Sequence, residues 1–108
     1  MSLFPCPYLK GEVELTDERE RHIAERHPEL LPEHRGRIAE TLDQPDQVRR
    51  SARFGSARLF SRWYADINLG KHVIVVVVSD LDPADRHWVI TAYMARRLAE
   101  GEVEWKRD

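Results

Sequence analysis

His72-Val73-Ile74-Val75-Val76-Val77-Val78-Ser79 is the stretch on which the fold turns. Val73 to Val78 are all β-branched, and branching at Cβ crowds a helical turn while suiting a pleated strand. The run has no alternation of apolar and polar residues, which predicts a strand covered on both faces and flanked on both sides. The chain around it supplies the neighbours. Ala57 to Ala65 alternates, with Leu59, Ser61 and Trp63 on one face and Arg58, Phe60, Arg62 and Tyr64 on the other. The second of these faces is expected to be open to solvent or to a ligand. His87 to Met94 alternates as well, pairing Trp88, Ile90, Ala92 and Met94 against His87, Val89, Thr91 and Tyr93. Asp66 to Lys71, with Asn68 and Gly70, reads as the first connection, and the acidic segment Asp80 to Arg86 around Pro83 as the second.

Further outward the signals weaken. Gln47 to Arg53 reads as a strand of modest strength, Phe54-Gly55-Ser56 as a turn, and Glu102 to Lys106 as an edge strand. Ala95 to Ala99 is expected to make a helical turn that Gly101 stops. Toward the N-terminus the period changes from 2 to 3.6. Thr16 to Glu29 is a helix with Thr16 as its N-cap and Pro28 as its stop. Glu33 to Leu42 is a second, weakened by Gly36. Glu12 to Leu15 is a short strand, and residues 1–11, with Pro5, Cys6 and Pro7, read as an irregular arm. The predicted class is α+β: two N-terminal helices packed on one face of an antiparallel sheet of about four to five strands.

At 108 residues, 42% hydrophobic and 33% charged, the chain has the size and balance of one globular domain, residues 1–108 with the α+β core over 12–105. No apolar run reaches the length of a membrane span, and the N-terminus lacks a basic-then-apolar leader. The single Cys6 excludes an intramolecular disulfide and an all-cysteine metal site. A cytoplasmic protein is expected, with no membrane partner. A net charge of −2 weighs against a general polyanion binder. Locally, however, Arg49, Arg50, Arg53, Arg58 and Arg62 follow one another with no intervening acid, which predicts a basic patch on the sheet.

The first helix carries the chemistry. At about 100° per residue, Arg19, Ile23 and Arg26 share one stripe, with His22 on one side and His27 on the other. An ordinary amphipathic helix fills that stripe with aliphatic residues. Arginine stems also lie along apolar surface, and a histidine at a helix end also bonds the last carbonyls, so a purely structural use stands beside the functional one. His22 and His27 are five positions apart, whereas two zinc ligands on one helical face need a spacing of four. No metal and no cofactor is expected. Histidines, arginines and hydroxyls without an obvious carboxylate nucleophile suit RNA cleavage, where the substrate 2′-hydroxyl is the nucleophile. The protein then supplies a base, an acid and cations for the phosphorane. Histidine fits the first two roles and arginine the third. Thr91 and Tyr93 suit hydrogen bonds to phosphate oxygens, and an aromatic ring suits stacking on a base.

Three words of the sequence are also familiar: Leu-Thr-x-x-Arg-x-x-His-Ile-x-x-x-His-Pro-Glu from Leu15 to Glu29, Pro45-Asp46-x-Val48, and Val89-Ile90-Thr91-Ala92-Tyr93. Together they resemble small bacterial and phage proteins of the barnase–EndoU–colicin–RelE-like (BECR) nuclease superfamily, from Glu12 to Trp105. The resemblance implies two helices followed by a four-stranded antiparallel sheet, and metal-independent RNA cleavage or a toxin-like role. By position it places the helix histidine on His22 and the strand hydroxyls on Thr91 and Tyr93. The expected site is therefore His22, Thr91 and Tyr93 as catalytic groups, with Arg19, Arg26, His27, Arg58, Arg62 and Tyr64 binding substrate. The expected partners are RNA and a cognate antitoxin or other protein. The alternative is a non-catalytic module of the same fold that binds a nucleic acid, a nucleotide or a protein.

Overall fold

The computed structural model describes residues 1–53 and 56–108. The chain runs β1 (Ser2–Cys6), a single 3-10 turn at Pro7–Leu9, β2 (Gly11–Leu15), α1 (Asp17–Arg26), α2 (Arg35–Asp43), β3 (Gln47–Ser51), β4 (Ala57–Tyr64), β5 (Lys71–Asp80), β6 (Arg86–Ala95) and β7 (Gly101–Lys106). One seven-stranded sheet results, in the order β1-β2-β6-β5-β4-β3-β7. The β-branched run lies in β5, the middle strand. Of the turn expected at Phe54-Gly55-Ser56, the first two residues lie outside the described ones.

The sheet corrects the predicted architecture. It has seven strands rather than four to five, and it is mixed, because β2 meets β6 in parallel at Glu14 and Trp88. The helices are not N-terminal either, since the hairpin β1–β2 precedes them. The expected irregular arm hides β1. Phe4 and Cys6 alternate inward and are buried, while Leu3 and Pro5 face out. Proline breaks an interior strand, but β1 is at the sheet edge, where a missing N–H costs no ladder bond. Lys10, at φ 57°, turns the chain back into β2.

α1 begins as its sequence demands: Thr16 Oγ1 accepts from the Arg19 N–H at 3.2 Å. Ile23 is the buried residue of α1. Full burial of such a side chain is worth about 1.5–3 kcal/mol. Past Pro28, Leu30 and Leu31 anchor the connection in the core. Ile38 and Leu42 of α2 close the same layer over Phe60, Val73, Val75 and Val77. A smaller cluster, Ala57, Leu59, Ile74 and Val76, lies on the opposite sheet face with Leu98 and Ala99 against it.

Two face assignments change. In β4, Phe60 and Tyr64 are buried under the helices, so the side with Arg58 and Arg62 is the covered one and Trp63 is exposed. In β6 the register to β5 shifts between Val76–Thr91 and Val77–Val89, leaving Ile90 as a bulge. The bulge reverses the alternation. Val89 and Ala92 therefore both enter the helix-side core, while Thr91 and Tyr93 stand opposite Val76 and Ile74 on the other face.

Candidate functional site

The sheet face away from the helices carries ladder rows that run from strand to strand. One row joins Arg49, Leu59, Val76 and Thr91; the next joins Gln47, Ser61, Ile74 and Tyr93. Over this face lies a groove of about 350 Å³, floored by Leu59, Val76 and Ile90, walled by Thr91 and Tyr93, and rimmed by Ser51, Arg53 and Glu100. Its floor is apolar and its rim polar, the usual distribution for a small-ligand site. Burial raises the pKa of Tyr93, so its hydroxyl stays protonated and able to donate at neutral pH.

α1 reaches this side of the molecule at its C-terminal end. β2 pairs with β6 at Glu14 and Trp88, and α1 then packs on β6. His27 is one helical turn beyond Ile23, so docking Ile23 carries His27 to the strand. Its ring lies 5.9 Å from the Tyr93 ring, tilted by 37°. Glu29 Oε1 is 3.4 Å from His27 Nδ1, an ion pair when the imidazole is protonated. Here the helix word and the last-strand word of the sequence meet.

The other expected site residues lie elsewhere. His22 lines a shallow depression on the outside of α1 with Glu18, Arg19, Arg21 and Glu25, separate from the groove of Thr91 and Tyr93. One residue before Ile23 is about 100° around the wheel, which turns His22 from the sheet. Arg19 and Arg26 are exposed. Arg58 donates to Glu104 at 2.8 Å. Arg62 donates to the Gln44 carbonyl at 2.7 Å and is within ion-pair distance of Glu40. Tyr64 is buried, and its hydroxyl donates to Glu40 Oε1 at 2.6 Å. Burial first, then that bond, pushes its pKa up to about 12. These three side chains tie the sheet to α2 and β7 and do not line the groove.

Two groups of interest, Ser51 and Glu104, are not singled out from sequence, and Arg53 is named there only as part of the basic run. Ser51 and Arg53 rim the groove, and their position follows from strand pairing that residue types alone do not reveal. Glu104 gathers Arg58 at 2.8 Å, Arg50 at 2.6 Å and the Tyr8 hydroxyl at 3.1 Å. Burial raises the pKa of Glu104, but hydrogen bonds from Arg58 and Tyr8 outweigh it and hold the carboxyl below the ordinary glutamate value. A register shift between β3 and β7 next to Val48 brings Glu104 there, and nothing in the alternation of 102–106 announces it. Among the described residues, no group of three His, Cys, Asp or Glu side chains is arranged to hold a metal ion. No described helix is long and apolar enough to cross a membrane. Set against known proteins, the chain matches no family model, no curated protein and no solved structure.

Proposed function

We propose that the protein is a metal-independent, toxin-like endoribonuclease of the BECR kind, acting on RNA in the cytoplasm through the groove on the uncovered sheet face. The observation that carries this reading is the contact of His27 with Tyr93 beside that groove. The order of α1, α2 and the antiparallel strands β3 to β6 supports the likeness, with the hairpin and β7 as additions. In the proposed reaction the substrate 2′-hydroxyl attacks the adjacent phosphorus and gives its proton to the His27 imidazole. The bond from phosphorus to the 5′ oxygen breaks, that oxygen takes a proton from water, and the His27 imidazolium returns its proton to the hydroxide left behind. The products are a 2′,3′-cyclic phosphate and a 5′-hydroxyl. Thr91 and Tyr93 donate to the equatorial oxygens, and the Arg53 guanidinium offsets the charge that develops there. Glu29 beside Nδ1 orients the imidazole and leaves Nε2 for the proton transfer. Incubation of purified protein with mixed RNA, with and without EDTA, tests the proposal. Cleavage that survives EDTA and leaves 2′,3′-cyclic ends supports it, and intact RNA under both conditions refutes it.

The apolar floor of Leu59, Val76 and Ile90 favours a second reading, a module of this fold that binds a nucleic acid, a nucleotide or a protein such as a cognate antitoxin without cleaving. Retention of RNA with no new ends would select it.

A further inference from the structure

Two residues along the strands from the row of Ser61, Ile74 and Tyr93, about 7 Å by strand rise, the same open face carries Trp63 directly opposite His72. The indole is 44% exposed, although tryptophan offers more apolar surface to bury than any other side chain. It is nonetheless held firmly. The His72 ring meets it edge-on, with centroids 4.8 Å apart, and Asp46 Oδ2 accepts from the Trp63 backbone N–H at 2.7 Å. Gly70, at φ 92°, lies so close that a Cβ there would stand 2.3 Å from Trp63 Cζ2. The glycine is thus required twice, by its left-handed backbone and by the ring resting on it. A large flat ring, fixed by its neighbours and open to solvent, loses little freedom when something stacks on it.

We propose that Trp63, supported by Gly70 and His72, is the stacking platform for an unpaired nucleobase, so that the groove and this platform together take single-stranded nucleic acid. The proposal rests on the RNA-directed reading above and names the form of its substrate. The surroundings favour a base over an apolar side chain of a protein partner. His72 and Gln47, both half-buried on this face, offer ring nitrogens and a side-chain amide N–H for a base edge. Arg49 lies on the same face, and Arg96 and Arg97, both exposed, follow directly from Ala95, the ladder partner of His72. These cations complement a phosphate backbone. A duplex keeps its bases stacked on one another and offers the platform no free face.

The test uses the full chain and a fluorescein-labelled RNA oligonucleotide, single-stranded or annealed to its complement, followed by anisotropy at fixed salt. Trp63→Leu keeps an apolar contact on Gly70 but removes the π face, while Trp63→Phe keeps a smaller one. The expected result is preferential binding of the single strand, weakened about tenfold in Trp63→Leu and much less in Trp63→Phe, with both variants melting near the wild type. Equal binding by wild type and Trp63→Leu overturns the platform, and if RNA is still cut the nuclease reading stands without it. Binding that depends on Trp63 without any cleavage upholds the platform and removes the nuclease. No binding of either RNA form by the wild type overturns both.

Discussion

Ile23 and His27 stand one turn apart on the same side of α1, and burial of the first brings the second to 5.9 Å from Tyr93. His22, next in sequence to Ile23, is turned to the other depression. Packing thus separates two histidines that flank one stripe: His27 lies about 40° from Ile23 on the wheel and His22 about 100°. His27→Ala is expected to lower RNA cleavage about 100-fold or more, the usual worth of a general base. His22→Ala is expected to leave the rate within a few-fold of wild type. Single-turnover assays of both variants against one labelled RNA measure this, and the reverse ranking would return the catalytic role to His22.

Ile23→Ala removes the side chain that seats the helix. Truncation of a fully buried isoleucine costs about 2–5 kcal/mol, and urea unfolding followed by circular dichroism reads that loss. If His27 is positioned by this docking, the variant's folded fraction should also cleave RNA more slowly than wild type. A large loss of stability with an unchanged rate per folded molecule would separate the two.

Glu104 sets an acid limit on stability. Its folded pKa lies below its unfolded one. The stabilisation it contributes is therefore present above the unfolded value and lost as pH falls through the folded value. Glu104→Gln removes the charge that faces Arg50 and Arg58, and is expected to destabilise by about 1.5–3 kcal/mol at neutral pH, the range for hydrogen bonds to charged groups. The gap between wild type and variant should close in acid. Urea midpoints at a series of pH values give the comparison, and a gap independent of pH would deny the charge its role.

How much of this could be read in advance differs by element. β5 was legible because six β-branched residues leave the backbone little choice, and α1 because Thr16 and Pro28 mark both its ends. β1 was not, since Pro5 and Pro7 look like irregular chain until β1 is known to be an edge. The two faces of β4 were misassigned because Arg58 and Arg62 outweigh Phe60 and Tyr64 when the stripe is read by charge. Folded, the arginines find Glu104, Glu40 and a carbonyl at the margin of the helix layer. The bulge at Ile90 left no mark on the residue types around it, yet it sets which side of β6 Thr91 and Tyr93 occupy. The candidate groups could be named by residue type, whereas the approach of His27 to Tyr93 required the docked helix.

Gly101 is a close-packing position on β7. A Cβ there would lie 2.4 Å from the Arg50 carbonyl oxygen of β3, and backbone cannot swing away as a side-chain tip does. Gly101→Ala is expected to loosen β7 from β3 and raise hydrogen exchange across Gly101–Lys106, with the amides of β5 still protected. Unchanged exchange in β7 would show that the strand absorbs the methyl group.

The outermost strands of the sheet are β1 and β7, and each is poorly suited as a template for another chain. Pro5 denies β1 one of the N–H groups an added strand would use, and Glu102 and Lys106 stand exposed along β7. Val73 to Val78 has the composition of a segment that stacks into fibrils when left bare. The β1–β2 hairpin and β7 therefore leave that segment flanked by three strands on each side and finish the sheet with borders that resist further growth.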